Sequence, residues 1–326
     1  MQKLASIIIP CFNAERWIAE TIDSCLKQTY RHIEIIVIDD SSTDNSIEII
    51  KSYGDKIIWE SLPENKGGCY ARNRGFALSK GEYIQFLDAD DLILPEKIER
   101  QINFLEATKA DVVYGDWRYQ GHQSNGVIFL DEIQKPGIQE DVLLSLIENW
   151  WTAVASLFYR RTAVETSGGW DESFSAAQDR DFFISVVMSG AKVVYQSGSP
   201  SIYRRYGKVT VSTASKQRWI ENHCKVLQKV EKKLLQKNRE IPINYRAALA
   251  EGFFEIARDY MYIDYSQYLR FLNKSLALYP NFKHKSSKKI YNFVQDICGF
   301  RLTERLVNRI LLLQAFLHSK IYPRTS

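Results

Sequence analysis

The chain has 326 residues, 45% hydrophobic and 25% charged, a balance that excludes disordered and collagen-like classes and suits one large α/β domain with a smaller companion. Its net charge is +4, but residues 281–326 hold nine Lys/Arg against two Asp/Glu, a local +7 that leaves −3 on the rest. A basic tail on a mildly acidic body predicts peripheral contact with an anionic membrane surface and gives no reason to expect nucleic acid; the plainer reading is a solvated helical face.

The five cysteines, Cys11, Cys25, Cys69, Cys224 and Cys298, are odd in number and form no CxxC pair. A disulfide framework or zinc site is therefore not expected, and the thiols read as reduced, in a cytoplasmic protein. No apolar run reaches the ~18 residues of a bilayer span. The N-terminal apolar run is short and reads as a strand, not a signal peptide.

In chain order, Ser6–Pro10 is a β-branched run closed by proline, and Ala14–Lys27 follows with helical spacing of Ile18, Ile22, Cys25 and Leu26. Ile33–Ile38 is continuously apolar, as a strand buried on both faces should be. Asp39-Asp40-Ser41-Ser42-Thr43-Asp44 then supplies turn and capping residues before a helix through Ile47, Ile49 and Ile50. Ile57–Trp59 predicts a short strand, Gly67–Ser79 a helix opened by glycines, and Tyr83–Leu87 a strand. Pro95 opens a helix to about Ala107, and Asp111–Tyr114 predicts one more strand. This alternation predicts a mostly parallel sheet flanked by helices on both faces, Rossmann-like, with ligands bound outside the carboxyl ends of the strands. Asp39-Asp40 and Asp88–Asp91 should therefore share one rim.

Further strands are expected near Val127–Leu130, Ser156–Tyr159, Lys192–Tyr195 and Ser201–Tyr206, and helices at Asp141–Asn149 and Asp179–Met188. From Ser215 the pattern is all-helical, which places a domain boundary at 212/213. Residues 244–280 have the form of a helical hairpin, and Leu302–Leu317 is amphipathic with Arg301, Arg305 and Arg309 four apart.

Four clusters carry chemistry. Asp88-Ala89-Asp90-Asp91 follows a strand directly. Carboxylates at i and i+2 suit a hard divalent cation, Mn²⁺ or Mg²⁺, with positions left for phosphate oxygens, although an acidic triplet alone also serves as a helix cap. Asp39-Asp40 can accept an N–H from a base edge or cap the next helix. Asn65-Lys66-Gly67-Gly68, with Ala71-Arg72-Asn73 a turn later, lets backbone approach an anion at a helix N-terminus, and Arg72 offers bidentate contacts. It is not a P-loop, because no Gly-Lys-Ser/Thr follows. Finally, Gly168-Gly169-Trp170-Asp171-Glu172 precedes Gln178-Asp179-Arg180-Asp181, where a carboxylate at a helix start can act as a general base or merely cap.

Together with Ser6-Ile7-Ile8-Ile9-Pro10-x-Phe12-Asn13 and Val37-Ile38-Asp39-Asp40-Ser41-Ser42, these segments stand in the order seen in the family-2 glycosyltransferases, which the chain resembles over about residues 5–210. The resemblance implies a GT-A fold and an inverting, metal-dependent transfer from a nucleoside diphosphate sugar, expected to be a UDP-sugar, to a carbohydrate or lipid-linked carbohydrate acceptor. It implies that Phe12, beside Pro10 and Asn13, lies against the base, that Asp40 accepts from the base, and that Asp39 supports that loop. It further implies that Arg72, with Gly67 and Ala89 nearby, helps hold the nucleotide, that Asp88 sits near ribose and metal, that Asp90 is the main metal ligand, and that Asp179 is the catalytic base. Gln178 stands where Glu is common, and Tyr206 where a Tyr-Arg-x-His pattern ends in His. Arg204 or Arg205 is the alternative partner for the diphosphate, and Asp181 the alternative base. Gln178 and Tyr206 also keep open an inactive, transferase-like scaffold. A sugar nucleotidyltransferase would instead show a glycine-rich loop after the first strand, where this chain has Cys11-Phe12-Asn13-Ala14-Glu15.

Overall fold

The computed structural model of the chain describes residues 3–122, 127–206, 215–284, 286, 288–307 and 309. Two compact units are present, Met1–Val226 and Leu227–Ser326. The boundary expected at 212/213 lies outside the described residues, as does most of Leu302–Leu317.

The N-terminal unit begins β1 (Ala5–Cys11), α1 (Ile18–Leu26), β2 (Ile33–Asp39), α2 (Ser46–Lys51), β3 (Ile58–Ser61), α3 (Gly68–Leu78), β4 (Tyr83–Phe86) and α4 (Lys97–Thr108). β1 pairs in parallel with β2 and β4, and β2 in parallel with β3. β1 and β2 carry apolar runs because both of their faces are covered: Ile7, Ile8 and Ile9 of β1 and Ile36, Val37 and Ile38 of β2 are fully buried, whereas β3 at the edge is largely exposed. On one face α1 contributes Ile18 and Ile22, each worth about 1.5–3 kcal/mol on burial. On the other, α3 lies so close that a Cβ added at Gly75 would stand 2.5 Å from Ile8 Cγ2.

Beyond β4 the sheet departs from the expected parallel order. β5 (Val112–His122) is separated from β4 by β7 (Leu157–Arg160), which pairs antiparallel with both. β6 (Ile128–Leu130) extends the sheet antiparallel to β5, giving the order β3-β2-β1-β4-β7-β5-β6. The strands expected at Lys192–Tyr195 and Ser201–Tyr206 are one, β8 (Val193–Arg205), parallel to β5 with a register shift between Gly115 and Trp117. The sheet is therefore mixed, parallel on its N-terminal side. α5 (Val142–Ile147), α6 (Arg161–Ser167) and α7 (Gln178–Met188) complete the connections.

α8 (Lys216–Lys237) spans the division between the units. The C-terminal unit is helical among its described residues, with α9 (Ile243–Tyr260), α10 (Tyr265–Leu278), α11 (Lys289–Cys298) and a further helical segment at 300–307. α9 and α10 form the expected hairpin, and Phe254, Phe282 and Phe300 fill the core of the unit. No described helix is long and apolar enough to cross a membrane.

Candidate active site

The carboxyl ends of β1, β2 and β4 form one rim because the three strands run in parallel register. At the β2 end, Asp40 is 3% exposed, and its carboxylate accepts the backbone N–H groups of Lys66 at 2.7 Å and Gly67 at 2.8 Å. It thus anchors the loop that starts α3, with Gly67 at φ +88°, a conformation glycine adopts at no steric cost. Asp39 Oδ2 accepts from Ser61 Oγ at 2.8 Å and Ser42 N at 3.3 Å. Asn13 Oδ1 accepts from Thr43 N at 2.8 Å, so the loop after β1 is tied to the loop after β2. Pro10 lies within β1, and Phe12 beyond it leaves its ring 49% exposed, a free flat face on the rim. The thiols of Cys11, Cys25 and Cys69 are buried and pushed up to about 12 by that burial, so none acts as a nucleophile near neutrality.

The Asp88–Asp91 segment follows β4 and is fastened to β8. Leu92 and Ile202 exchange backbone hydrogen bonds at 3.0 and 2.9 Å, and Arg204 N donates to Asp91 Oδ1 at 3.0 Å. Ala89 is buried, and its carbonyl accepts from Thr21 Oγ1 at 2.8 Å. Asp91 is 1% exposed and its pKa is raised well above the ordinary range, by burial and then by Asp90 and Asp88. Asp88 and Asp90 are half-buried. Asp90 is raised by burial and by the charge of Asp88, and accepts from the Tyr206 hydroxyl at 2.8 Å.

Arg72 connects this segment to α7. Its Nη2 donates to Asp88 Oδ1 at 2.5 Å, its Nη1 to Gln178 Oε1 at 3.2 Å, and its guanidinium lies 4.5 Å from the centre of the Trp170 ring. At the position where Glu is common, the neutral Gln178 side chain therefore accepts a hydrogen bond from the Arg72 guanidinium and forms no ion pair with it. Asp179 stands next to it in the first turn of α7, exposed to the cleft. The protein around it strips water and raises its pKa, Asp88 raises it further, and the Arg180 backbone N–H and Arg72 oppose the rise. Asp181, by contrast, is 2% exposed, so it faces the core and not the cleft. A small cleft beside Asp179 is lined by Trp151, Val154, Tyr159, Trp170 and Phe182. Trp151 is 42% exposed, whereas Trp117 and Trp170 are buried.

Three further participants come from the end of β8, in the segment that resembles a Tyr-Arg-x-His pattern. The Tyr203 hydroxyl is raised by burial and then by the charges of Asp91, Asp88, Asp90 and Asp179, so it keeps its proton near neutrality. Arg204 is 3% exposed, pairs with Glu20 and lies 5.0 Å from the Trp17 ring, so it braces the Asp91 loop from behind. Arg205 is exposed and stacks 3.6 Å from the Tyr119 ring centre. The sequence offers Arg204 and Arg205 as partners for the diphosphate; their contacts with Asp91, Glu20 and Tyr119 come from the way β8 folds.

An α/β sheet with its acidic site at the strand ends is the arrangement in which such folds bind ligands, and the comparisons give it a family. The family model described as glycosyl transferase family 2 matches residues 6–166. A glycosyltransferase of Haemophilus influenzae is 33% identical over 215 residues, 64% of this chain and 82% of that protein. The chain belongs to glycosyl transferase family 2 and has its GT-A fold. The Escherichia coli UDP-Glc:alpha-D-GlcNAc-diphosphoundecaprenol beta-1,3-glucosyltransferase WfaP is 43% identical over 116 residues, 35% of this chain and 46% of that protein. Among solved structures, residues 1–349 of Staphylococcus aureus TarS in complex with UDP-GlcNAc superpose with a TM-score of 0.66 at 21% identity, covering 86% of this chain and 82% of TarS 1–349.

Proposed function

We propose that this glycosyltransferase works by inversion, moving a sugar from a nucleoside diphosphate sugar, UDP-linked, to a hydroxyl of a carbohydrate acceptor on a lipid carrier, in the cytoplasm. The observation that carries the reading is the Arg72 bridge: a single guanidinium holds both Asp88, 16 residues away, and Gln178, 106 residues away, and so sets the acidic loop beside Asp179. UDP is supported by the ligand named with TarS and by the donor named for WfaP, and a lipid-linked acceptor by the name of WfaP.

In this reading Phe12 offers its exposed face to the base, and Asp40 shapes the pocket around it by holding Lys66 and Gly67. Asp88 and Asp90 suit a divalent cation, Mn²⁺ or Mg²⁺: burial and the neighbouring charge of Asp88 raise Asp90, a repulsion that a cation relieves, and each of the two accepts one side-chain hydrogen bond of the several its oxygens can take. Bound there, the ion would neutralise charge on the departing diphosphate. Asp179 takes the proton of the acceptor hydroxyl while that oxygen forms its bond to the anomeric carbon. The anomeric carbon–phosphate oxygen bond breaks, and the diphosphate leaves with the electron pair. Trp151 offers an exposed aromatic face beside Asp179 on which an acceptor ring can stack. Gln178 and Tyr206 each keep a hydrogen bond into the site, so neither favours an inactive scaffold.

The test is a panel of nucleotide sugars with Mn²⁺ or Mg²⁺, with and without chelator, following diphosphate release and, in the same samples, binding. Metal-dependent release from one donor, lost in Asp90→Ala, is expected. Absence of binding by every nucleotide sugar and every free nucleoside diphosphate would remove the reading.

A further inference from the structure

The last described helices of the C-terminal unit turn one face inward around a buried hub. Glu304 is 0% exposed and accepts from Arg258 of α9 at 2.5 and 3.1 Å and from the Tyr291 hydroxyl of α11 at 2.6 Å. Tyr291 and Gln295 of α11, and Phe300 and Thr303 of the next segment, are buried with it. This hub fixes the rotation of both segments, and so determines what they present outward. On α11 the outward side chains are Ile290, Phe293 and Ile297, 73%, 64% and 67% exposed; on 300–307 they are Leu302 and Leu306. Spacing of three and four residues puts each set on a single helical face.

Large apolar side chains clustered in this way mark an interaction surface. The charge around them specifies the partner. Lys288, Lys289, Arg301, Arg305 and Arg309 are all exposed. The acidic side chains of 281–309 are the buried Glu304 and Asp296, and Asp296 is paired with Lys283 at 2.7 Å. A second protein would ordinarily meet a mixed-charge rim, whereas apolar residues flanked by cations of one sign match a bilayer with anionic headgroups. We propose that this face docks on an anionic phospholipid surface, with Ile290, Phe293 and Ile297 among the headgroups and the arginines on phosphates.

The experiment is flotation of the full chain with phosphatidylcholine vesicles with and without phosphatidylglycerol. Binding is expected only to the anionic vesicles, weakening as salt is raised. Arg301→Gln with Arg305→Gln should weaken partitioning about thirtyfold. Phe293→Asp with Ile297→Asp should abolish it, with helical content unchanged because both positions are exposed. Failure of the unaltered chain to bind anionic vesicles overturns the proposal. Wild-type binding by both variants overturns it too, since another segment then makes the contact. So does a chain that is dimeric in solution, becomes monomeric with Phe293→Asp and Ile297→Asp, and still binds lipid, because the face is then covered by a second copy.

Discussion

Asp40→Asn changes one atom of a buried side chain and tests the frame of the nucleotide pocket. In the native chain one carboxylate oxygen takes the Lys66 N–H at 2.7 Å and the other the Gly67 N–H at 2.8 Å. An amide keeps one acceptor and turns an NH₂ toward the other N–H, leaving that buried donor without a partner. The orphaned donor costs about 1–3 kcal/mol, and the surviving bond loses its charge assistance, about 1 kcal/mol more. The expected total is about 2–4 kcal/mol. Because Gly67 caps α3, the loosening reaches Arg72 about a turn further on. Thermal unfolding followed by circular dichroism should show a fall of roughly 4–16 °C for a unit of this size, and binding of nucleoside diphosphate below the melt should weaken as well. A Tm within about 1 °C of wild type would refute the reasoning, since it would mean that the two backbone bonds contribute nothing.

Other expectations follow from the same geometry. Gly75→Ala places a methyl group 2.5 Å from Ile8 Cγ2 and 3.3 Å from Ile38 Cγ1, and should cost about 1–3 kcal/mol in denaturant unfolding. Asp179 must be ionised to accept a proton, and its pKa is raised, first by the protein packed around it; kcat/KM should therefore fall on acidification along a limb lying above the ordinary aspartate value of about 3.9. For stability the sign is opposite: the contribution of Asp179 is fully present below that ordinary value and is lost as pH rises through the raised one, so Asp179→Asn should flatten the pH dependence of Tm in that window. Tyr206→Phe removes the 2.8 Å hydrogen bond to Asp90 and should weaken Mn²⁺ binding, read by titration calorimetry in the presence of nucleoside diphosphate, by about tenfold.

Much of the fold was legible because its information is local. Apolar runs such as Ile33–Ile38, helical spacing such as Ile18, Ile22 and Cys25, and acidic turns at strand ends each announce themselves within a dozen residues. Pairing between distant strands does not. Nothing in Leu157–Arg160 says that it inserts between β4 and β5, and the chain from 193 to 205 reads as two strands because Gly198 and Pro200 interrupt its pattern. The same limit applies to the site. The acidic motifs, Arg72 and the Tyr203–Tyr206 segment stand out in the sequence, whereas the backbone bond from Arg204 to Asp91 and its pairing with Glu20 arise only because β8 folds alongside the Asp88–Asp91 loop. Asp40 reads from sequence as a base acceptor, and its two backbone partners, 26 and 27 residues away, appear only in three dimensions.

The central claim is that Asp179 is the base of a single-displacement transfer. The most direct test is the turnover of Asp179→Asn against wild type, with the donor identified by the nucleotide-sugar panel and an acceptor that supports transfer, donor affinity being measured on the same preparation. The account predicts a loss of about 10²–10⁴-fold in turnover with donor affinity essentially unchanged. Near-wild-type turnover would contradict it and assign the proton to another group.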